Sequence, residues 1–351
     1  MCDNVFHVES MHAYRMTGWG SPPEVTTVPV PEPGPGQILI RVAGCGLCRS
    51  DLTMPAVPQA AGEKMGWQMP FTLGHETAGR VAALGEGVEG VTPGEAVALV
   101  STSSCGSCDF CLRGQDNNCP AGLSGRGFGR DGGLAAYVLA PAPRDLLPLG
   151  DLDPRTAGPL TDAGATAYHA VRRALPRIPP GGTVVVIGAG GLGAFAVQFL
   201  RALTAATVIA VDPLQARRDY AISVGAHAAE ESIPRLRAHV VLDFVGSGDT
   251  ITSGLRTVRP GGAFGLIGSA GGTLAKPWFG ALPRDGEVFT FQGSSITDVR
   301  EVLALARAGL IRNEVQEFGF DEMATAYERL ATGALTGRAV ITMPDTALTF
   351  P

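Results

Sequence analysis

The hydrophobic rhythm of the chain changes about halfway along. In the first part, apolar positions come in short alternating runs punctuated by proline and glycine. Residues 37–42 place Ile38, Ile40 and Val42 on one face, and residues 78–83 and 96–100 are similar, with a turn region from Gly85 to Gly94 between them. Alternation of this kind predicts half-buried β-strands. From about Thr161 the texture becomes strand and helix in turn. Strands are predicted at 184–187, 208–211, 240–245 and 263–267, with helices at 192–203 and 214–224. Buried strands alternating with helices predict a parallel, doubly wound sheet. Near the C-terminus Val299, Val302, Leu303, Ala306 and Leu310 recur at helical spacing. Asp321 is placed to cap a further helix carrying Ala324, Tyr327 and Leu330, and residues 339–343 read as a closing strand. This tail is expected to return to the first domain.

Composition narrows the class. A chain of 351 residues suffices for two domains. Its 45% hydrophobic and 17% charged content opposes disorder. Lys and Arg number 27 against 33 Asp and Glu, a net charge of −6 with no long basic run, which argues against nucleic acid and anionic membranes as partners. Residues 178–200 carry no charge over a length that could span a bilayer, but Pro179, Pro180 and six glycines make them a strand, a glycine turn and a buried helix instead. No secretion-type signal is expected in the polar first ten residues. Seven cysteines, four of them between positions 105 and 119, then read as the metal-binding thiols of a reduced, cytoplasmic protein.

Three motifs carry chemistry. Gly188-Ala189-Gly190-Gly191-Leu192-Gly193 follows one predicted strand and opens a helix. Such a turn lets backbone approach a pyrophosphate and aims helix amides at it. Asp212 ends the next strand, where a carboxylate accepts hydrogen bonds from an adenosine ribose and repels a 2′-phosphate. NAD is therefore expected in preference to NADP, with Arg217 and Arg218 as the features that would soften that exclusion. Cys105, Cys108, Cys111 and Cys119 lie in one short polar loop. Four thiolates so spaced can close a tetrahedron around a structural zinc; iron–sulfur clusters use other spacings. The third set is dispersed. Cys48 and Asp51 follow the 37–42 strand, and His75-Glu76 precedes the 78–83 strand. Thiolate, imidazole and carboxylate together leave a zinc position open for a substrate. Cys45 completes a C-x-x-C with Cys48 but lacks a thioredoxin-like helix start, and is read as packing.

Gly46-Leu-Cys48-Arg49-Ser50-Asp51, Gly74-His75-Glu76, the four-cysteine loop, the Gly188–Gly193 turn with Asp212, and Gly337-Arg338-Ala339-Val340 occur here in one order. In that order the sequence resembles the zinc-dependent medium-chain alcohol dehydrogenase family almost end to end, with the first ten residues outside the pattern. The resemblance implies an α/β fold in which a Rossmann doubly wound parallel sheet, residues 164–296, is inserted in a β-rich GroES-like catalytic domain, residues 1–163 and 297–351. It implies two Zn2+ per chain, one catalytic and one structural, a small-molecule alcohol or ketone substrate, and a homodimer or homotetramer. Cys48 and His75 are the implied catalytic zinc ligands. The third comes from Leu160-Thr161-Asp162, where many members have Cys and others Asp, several of the latter favouring secondary alcohols. Glu76 becomes a nearby carboxylate able to exchange with water or substrate, and Asp51 the acceptor that orients His75. Ser50 matches the hydroxyl that takes the alcohol proton. The histidine that usually ends the relay, three positions on, is here Thr53. Arg49, Thr166, Arg217 and Arg338 match positions that contact cofactor.

Competing readings stay within reach of the same motifs. A polyol, amino-alcohol or formaldehyde-type dehydrogenase would need polar pocket groups, whereas Trp67, Met69 and Phe71 offer apolar ones that serve either as pocket lining or as core. A quinone-reductase-like member would not need the zinc ligands, and a non-catalytic nucleotide-binding redox sensor would have no use for an open zinc site. His7, His12, His169, His227 and His239 lack ligand-like neighbours.

Overall fold

The structure, a computed structural model, describes residues 10–274 and 277–343. The N-terminal extension up to residue 9 lies outside the described residues. The chain divides into two compact units, Met1–Asp162 with Val315–Pro351, and Ala163–Glu314.

The first unit is built on the strand Ile38–Gly46, which is buried along most of its length. Glu76–Leu84 runs antiparallel beside it. On the other side Tyr137–Ala140 pairs with its first half and the returning strand Arg338–Thr342 with its last three residues. Register shifts at Leu39/Ile40 and Val42/Gly44 bend the strand. The sheet continues through Ala96–Leu99 and Leu146–Pro148 at one end and Val315–Gly319 at the other. Met16, Ile38, Ile40, Leu47, Phe71 and Leu73 fill the core beneath. At Gly46, the last residue of the central strand, a Cβ would lie 2.1 Å from the Glu76 Oε2 atom, so only glycine fits.

The second unit is a six-stranded, all-parallel sheet in the spatial order Ala228–Glu230, Thr207–Val211, Thr183–Ile187, Ala238–Asp243, Val258–Leu266, Glu287–Thr290. Numbered along the chain this is 3-2-1-4-5-6, the dinucleotide-binding order, with its switch point between Thr183–Ile187 and Ala238–Asp243. Val184, Val185 and Val186 are wholly buried, as expected of a strand covered on both faces. Residues 178–200 become the strand Thr183–Ile187 and the helix Gly191–Leu203. Among the described residues no helix is long and apolar enough to cross a membrane.

Two expectations need correction. The return to the first unit comes at Val315 rather than at 297, because the helix Ile296–Arg307 belongs to the parallel-sheet unit. It packs on the helix Ala163–Ala174, where Tyr168 donates to Glu301 and His169 Nδ1 lies 2.8 Å from Asp298 Oδ2. Helical periodicity shows that an apolar face is buried, not whose core it completes. Asp321 is not the cap expected of it. A 3₁₀ turn, Phe320–Glu322, precedes the helix Met323–Thr332, and Glu322 accepts the Gly319 N–H at 2.7 Å.

Candidate active site

The central strand of the first unit leads into a short helix, Arg49–Thr53, with Cys48 in extended conformation at its N-cap. Asp51 Oδ2 accepts the Cys48 N–H at 3.0 Å, which fixes the thiol at the strand end. Glu76 opens the neighbouring strand and His75 immediately precedes it. Asp162 follows the 3₁₀ turn Gly158–Thr161, which packs on both strands. One ligand atom each from Cys48, His75, Glu76 and Asp162 falls within 4.8 Å of every other. His75 Nε2 lies 3.5 Å from Asp162 Oδ2, and its Nδ1 lies 3.6 Å from Asp51 Oδ1. Arg338, on the returning strand, donates to Glu76. Asp51, His75, Glu76 and Arg338 are all buried.

The charges in this set constrain one another. Burial lifts the Glu76 carboxyl well above its ordinary range, against the pull of Arg338. Burial also opposes charging of His75, yet its contacts with Asp162 and Cys48 outweigh it and hold the imidazole well above its usual value. Asp162 is drawn down, because His75 more than offsets the burial. The half-buried donor set thus favours a positive charge among its atoms, the charge a divalent cation would bring. Ser50 Oγ, beside this group in sequence, is buried with no hydrogen-bond partner among the described residues. The residues fit zinc.

The four-cysteine loop fits it too. Its Sγ atoms stand 3.5 Å (Cys108–Cys111), 3.9 Å (Cys105–Cys111) and 3.9 Å (Cys108–Cys119) apart. A tetrahedron with Zn–S bonds of about 2.3 Å has edges of about 3.8 Å. Backbone N–H groups of Cys105 and Cys108 donate to Cys119 and Cys105 sulfur, each at 3.3 Å. Hydrogen bonds from Ser107 and then Cys108 bring the Cys105 thiol down to about 6. Arg144 braces the loop through Asp116 at 2.8 Å.

In the second unit, Gly188 has φ of +85°, and a Cβ at Gly193 would lie 1.8 Å from the Gly188 carbonyl oxygen. Turn and helix therefore meet backbone to backbone, as a pyrophosphate cradle requires. Gly190 caps the helix that Gly191 and Leu192 begin. Asp212, at the end of the adjacent strand, accepts the Ala189 N–H through Oδ2 and the Leu214 N–H through Oδ1, each at 3.0 Å. These bonds brace the glycine turn. The Arg217 guanidinium lies 3.6 Å from Asp212, and a Cβ at Gly190 would stand 3.8 Å from it. Thr166 is buried on Ala163–Ala174, while Arg49 is exposed. Arg338, matched by resemblance to a cofactor contact, has its guanidinium on Glu76.

Sequence reasoning missed three contributors. The Phe128 ring lies 4.6 Å from the His75 ring and 6.3 Å from Trp67, which in turn meets Trp19 and Phe71. Phe128 stands in a glycine-rich stretch with no alternation to flag it. Tyr327 was legible as a buried helix position, but not as the donor to Asp51 Oδ2 at 3.2 Å. Asp243 is buried at the end of its strand and takes the Val245 and Gly246 N–H groups, shaping the turn beside Gly188. His7 lies outside the described residues; among the others, His227 accepts from Val208 N–H, His239 from Thr183 N–H, and His169 meets Asp298. Trp67 and Phe71 are core, although Trp67 also reaches Phe128.

A dinucleotide-type sheet with a glycine turn at its switch point, and a half-buried thiol–imidazole–carboxylate set on a separate β unit, define a metal-assisted nicotinamide oxidoreductase. The alcohol dehydrogenase GroES-like domain family matches residues 34–151, and the zinc-binding dehydrogenase family matches residues 191–308. An NAD-dependent alcohol dehydrogenase from Sulfurisphaera tokodaii is 33% identical, covering 94% of this chain and 99% of its own. A D-arabinose 1-dehydrogenase (NADP(+)) from Saccharolobus solfataricus is 31% identical over 97% and 99%. Among solved structures, the alcohol dehydrogenase of Aeropyrum pernix superposes with a TM-score of 0.87 at 31% identity, covering 94% and 99%. The acetophenone reductase of Geotrichum candidum gives 0.85 at 29%, covering 95% and 97%. The chain belongs to the zinc-dependent medium-chain alcohol dehydrogenase family. It is a zinc- and NAD-dependent oxidoreductase that interconverts alcohols and carbonyl compounds by hydride transfer.

Proposed function

We propose that the enzyme acts on small apolar alcohols, secondary ones in preference, and on the matching ketones, with Cys48, His75 and Asp162 as the protein ligands of its catalytic zinc. The observation that carries this reading is the convergence of those donor atoms within 4.8 Å, with Glu76 already paired to Arg338. Bound there, zinc supplies a Lewis acid for the substrate oxygen, and NAD supplies the hydride acceptor. Asp51 orients His75, and Glu76 is the nearby carboxylate able to exchange with water or substrate. Ser50 takes the alcohol proton; its buried hydroxyl supports that role. Thr53 stands where the relay histidine would be and donates to the Ser50 carbonyl at 2.9 Å; water or another group completes the proton path beyond Ser50. Cys105, Cys108, Cys111 and Cys119 hold a second, structural zinc.

Gly188, Gly190, Gly191, Leu192 and Gly193 cradle the pyrophosphate, with Arg49, Thr166, Arg217 and Arg338 as further cofactor contacts. Asp212 gives NAD its preference over NADP. The protein works in the cytoplasm as a homodimer or homotetramer associating through its coenzyme-binding unit. The Phe128 ring beside His75 supports apolar substrates, because a polyol needs partners for each hydroxyl. The D-arabinose relative makes sugars the reading to test against. Nicotinamide absorbance decides, with NAD and NADP, across matched primary alcohols, secondary alcohols and aldoses. Faster reduction of NAD by secondary alcohols is expected; faster reduction of NADP by aldoses would reverse the assignment.

A further inference from the structure

We propose that Tyr327 is a positioning residue for the catalytic metal, its hydroxyl locking the Asp51 carboxylate so that the second oxygen faces His75. The inference rests on the assignment of Cys48, His75 and Asp162 as ligands. Asp51 Oδ2 takes two donors, the Cys48 N–H at 3.0 Å and the Tyr327 O–H at 3.2 Å. Two donors on one oxygen fix the plane of the carboxylate, and Oδ1 is then turned toward His75 Nδ1, 3.6 Å away. The chain of contacts runs from Tyr327 to Asp51 to His75, and so to the metal-binding Nε2 edge beside Asp162.

Nothing in packing alone calls for a hydroxyl at this position. Tyr327 stands among Met323, Ala326 and Leu330 in the core, and its ring stacks on Tyr14 at 5.4 Å with an interplanar angle of 29°. Phenylalanine would fill the same space. A buried phenol without a partner is destabilising, so the oxygen is accommodated because Asp51 receives it. The interaction spans 276 residues and ties the helix Met323–Thr332 of the returning segment to Arg49–Thr53, on which Ser50 and Asp51 lie. Outer partners of a ligating histidine set its tautomer and ring angle, and Tyr327 acts one contact further out.

The test is zinc release from the full-length, zinc-loaded protein to a chromophoric chelator, in wild type, Tyr327→Phe, Asp51→Asn and the double variant. The release phase that disappears in Cys48→Ser belongs to this site, and the four-cysteine phase in the same molecule reports that each variant is folded. Tyr327→Phe is expected to speed the Cys48-dependent phase roughly ten-fold, the lower end for outer partners of a ligand. It should leave the four-cysteine phase alone and add less than about two-fold in the Asp51→Asn background, since the two act through one contact. In the cobalt-substituted protein the visible bands of the Cys48 site should shift with Tyr327→Phe. Unchanged release and bands, or a full ten-fold effect that persists without Asp51, would reduce Tyr327 to packing and overturn the inference. Absence of any Cys48-dependent phase in wild type would instead overturn the ligand assignment, and this inference with it.

Discussion

Arg338 and Glu76 form a buried ion pair across 262 residues of sequence, inside the group of donors that includes Cys48, His75 and Asp162. The returning strand thus brings the cation that balances a carboxylate the local sequence leaves buried. Removing one partner of such a pair leaves an uncompensated charge, whereas removing both does not. Arg338→Met should lower stability by about 3–5 kcal/mol, and Arg338→Met with Glu76→Gln should recover most of it. Urea unfolding at constant slope measures both; equal losses in the single and double variants would deny the pair its role.

Thiol reactivity in the four-cysteine loop should be uneven once metal is stripped. Cys105 is brought down to about 6, chiefly by hydrogen bonds from Ser107, while Cys108 is pushed up to about 11 despite its backbone hydrogen bond with Cys111. A lowered thiol pKa puts more thiolate at neutral pH, and the thiolate is the nucleophile. Iodoacetamide mapping between pH 5 and 8 should label Cys105 first, with labelling falling as pH drops through about 6. Cys45, buried and pushed up to about 12, should stay unlabelled. Equal labelling of Cys105 and Cys108 at pH 7 would contradict the asymmetry.

Asp212 holds the glycine turn and is proposed to face the ribose, so its replacement should show in both. Asp212→Ala removes acceptors from the Ala189 and Leu214 N–H groups. Losing a charge-assisted bond to the ribose as well, about 1.5–3 kcal/mol, would correspond to roughly ten- to hundred-fold weaker NAD binding. Binding of NADP should fall less, because the repulsion of a 2′-phosphate goes too. Titration of NADH and NADPH fluorescence gives the ratio; parallel losses would remove Asp212 from cofactor choice.

Gly193→Ala separates the two units. Its Cβ would stand 1.8 Å from the Gly188 carbonyl oxygen, a backbone atom that cannot move aside without shifting the turn. Nicotinamide binding should be lost, while zinc content, held in the other unit, stays at the wild-type level. Retained NADH binding in this variant would contradict the close turn-to-helix packing.

Much of this architecture can be read from local pattern. The parallel strands stand out because burial on both faces makes Val184, Val185 and Val186 a continuous apolar run. The cysteine loop and the glycine turn are legible because their chemistry depends on short spacings. What the sequence hides is pairing over distance. Periodicity marks Val299 and Val302 as buried but not that their helix stays with Ala163–Ala174. It marks Tyr327 as core but not that its hydroxyl finds Asp51, and it is silent on Phe128 beside His75. Arg338 lies in a recognisable motif, yet its partner is fixed only when the last strand pairs with Ile38–Gly46.

The central claim is that alcohol oxidation depends on a zinc held by Cys48, His75 and Asp162. Its most direct test is turnover of a secondary alcohol with NAD against zinc content, in wild type and Asp162→Ala side by side. Wild type should hold two zincs per chain and lose activity in proportion to the more labile one. Asp162→Ala should hold one, bind NADH normally and turn over at least about a thousand-fold more slowly, a loss of about 4 kcal/mol of transition-state stabilisation. Full turnover by Asp162→Ala, or by wild type stripped of its labile zinc, would contradict the account.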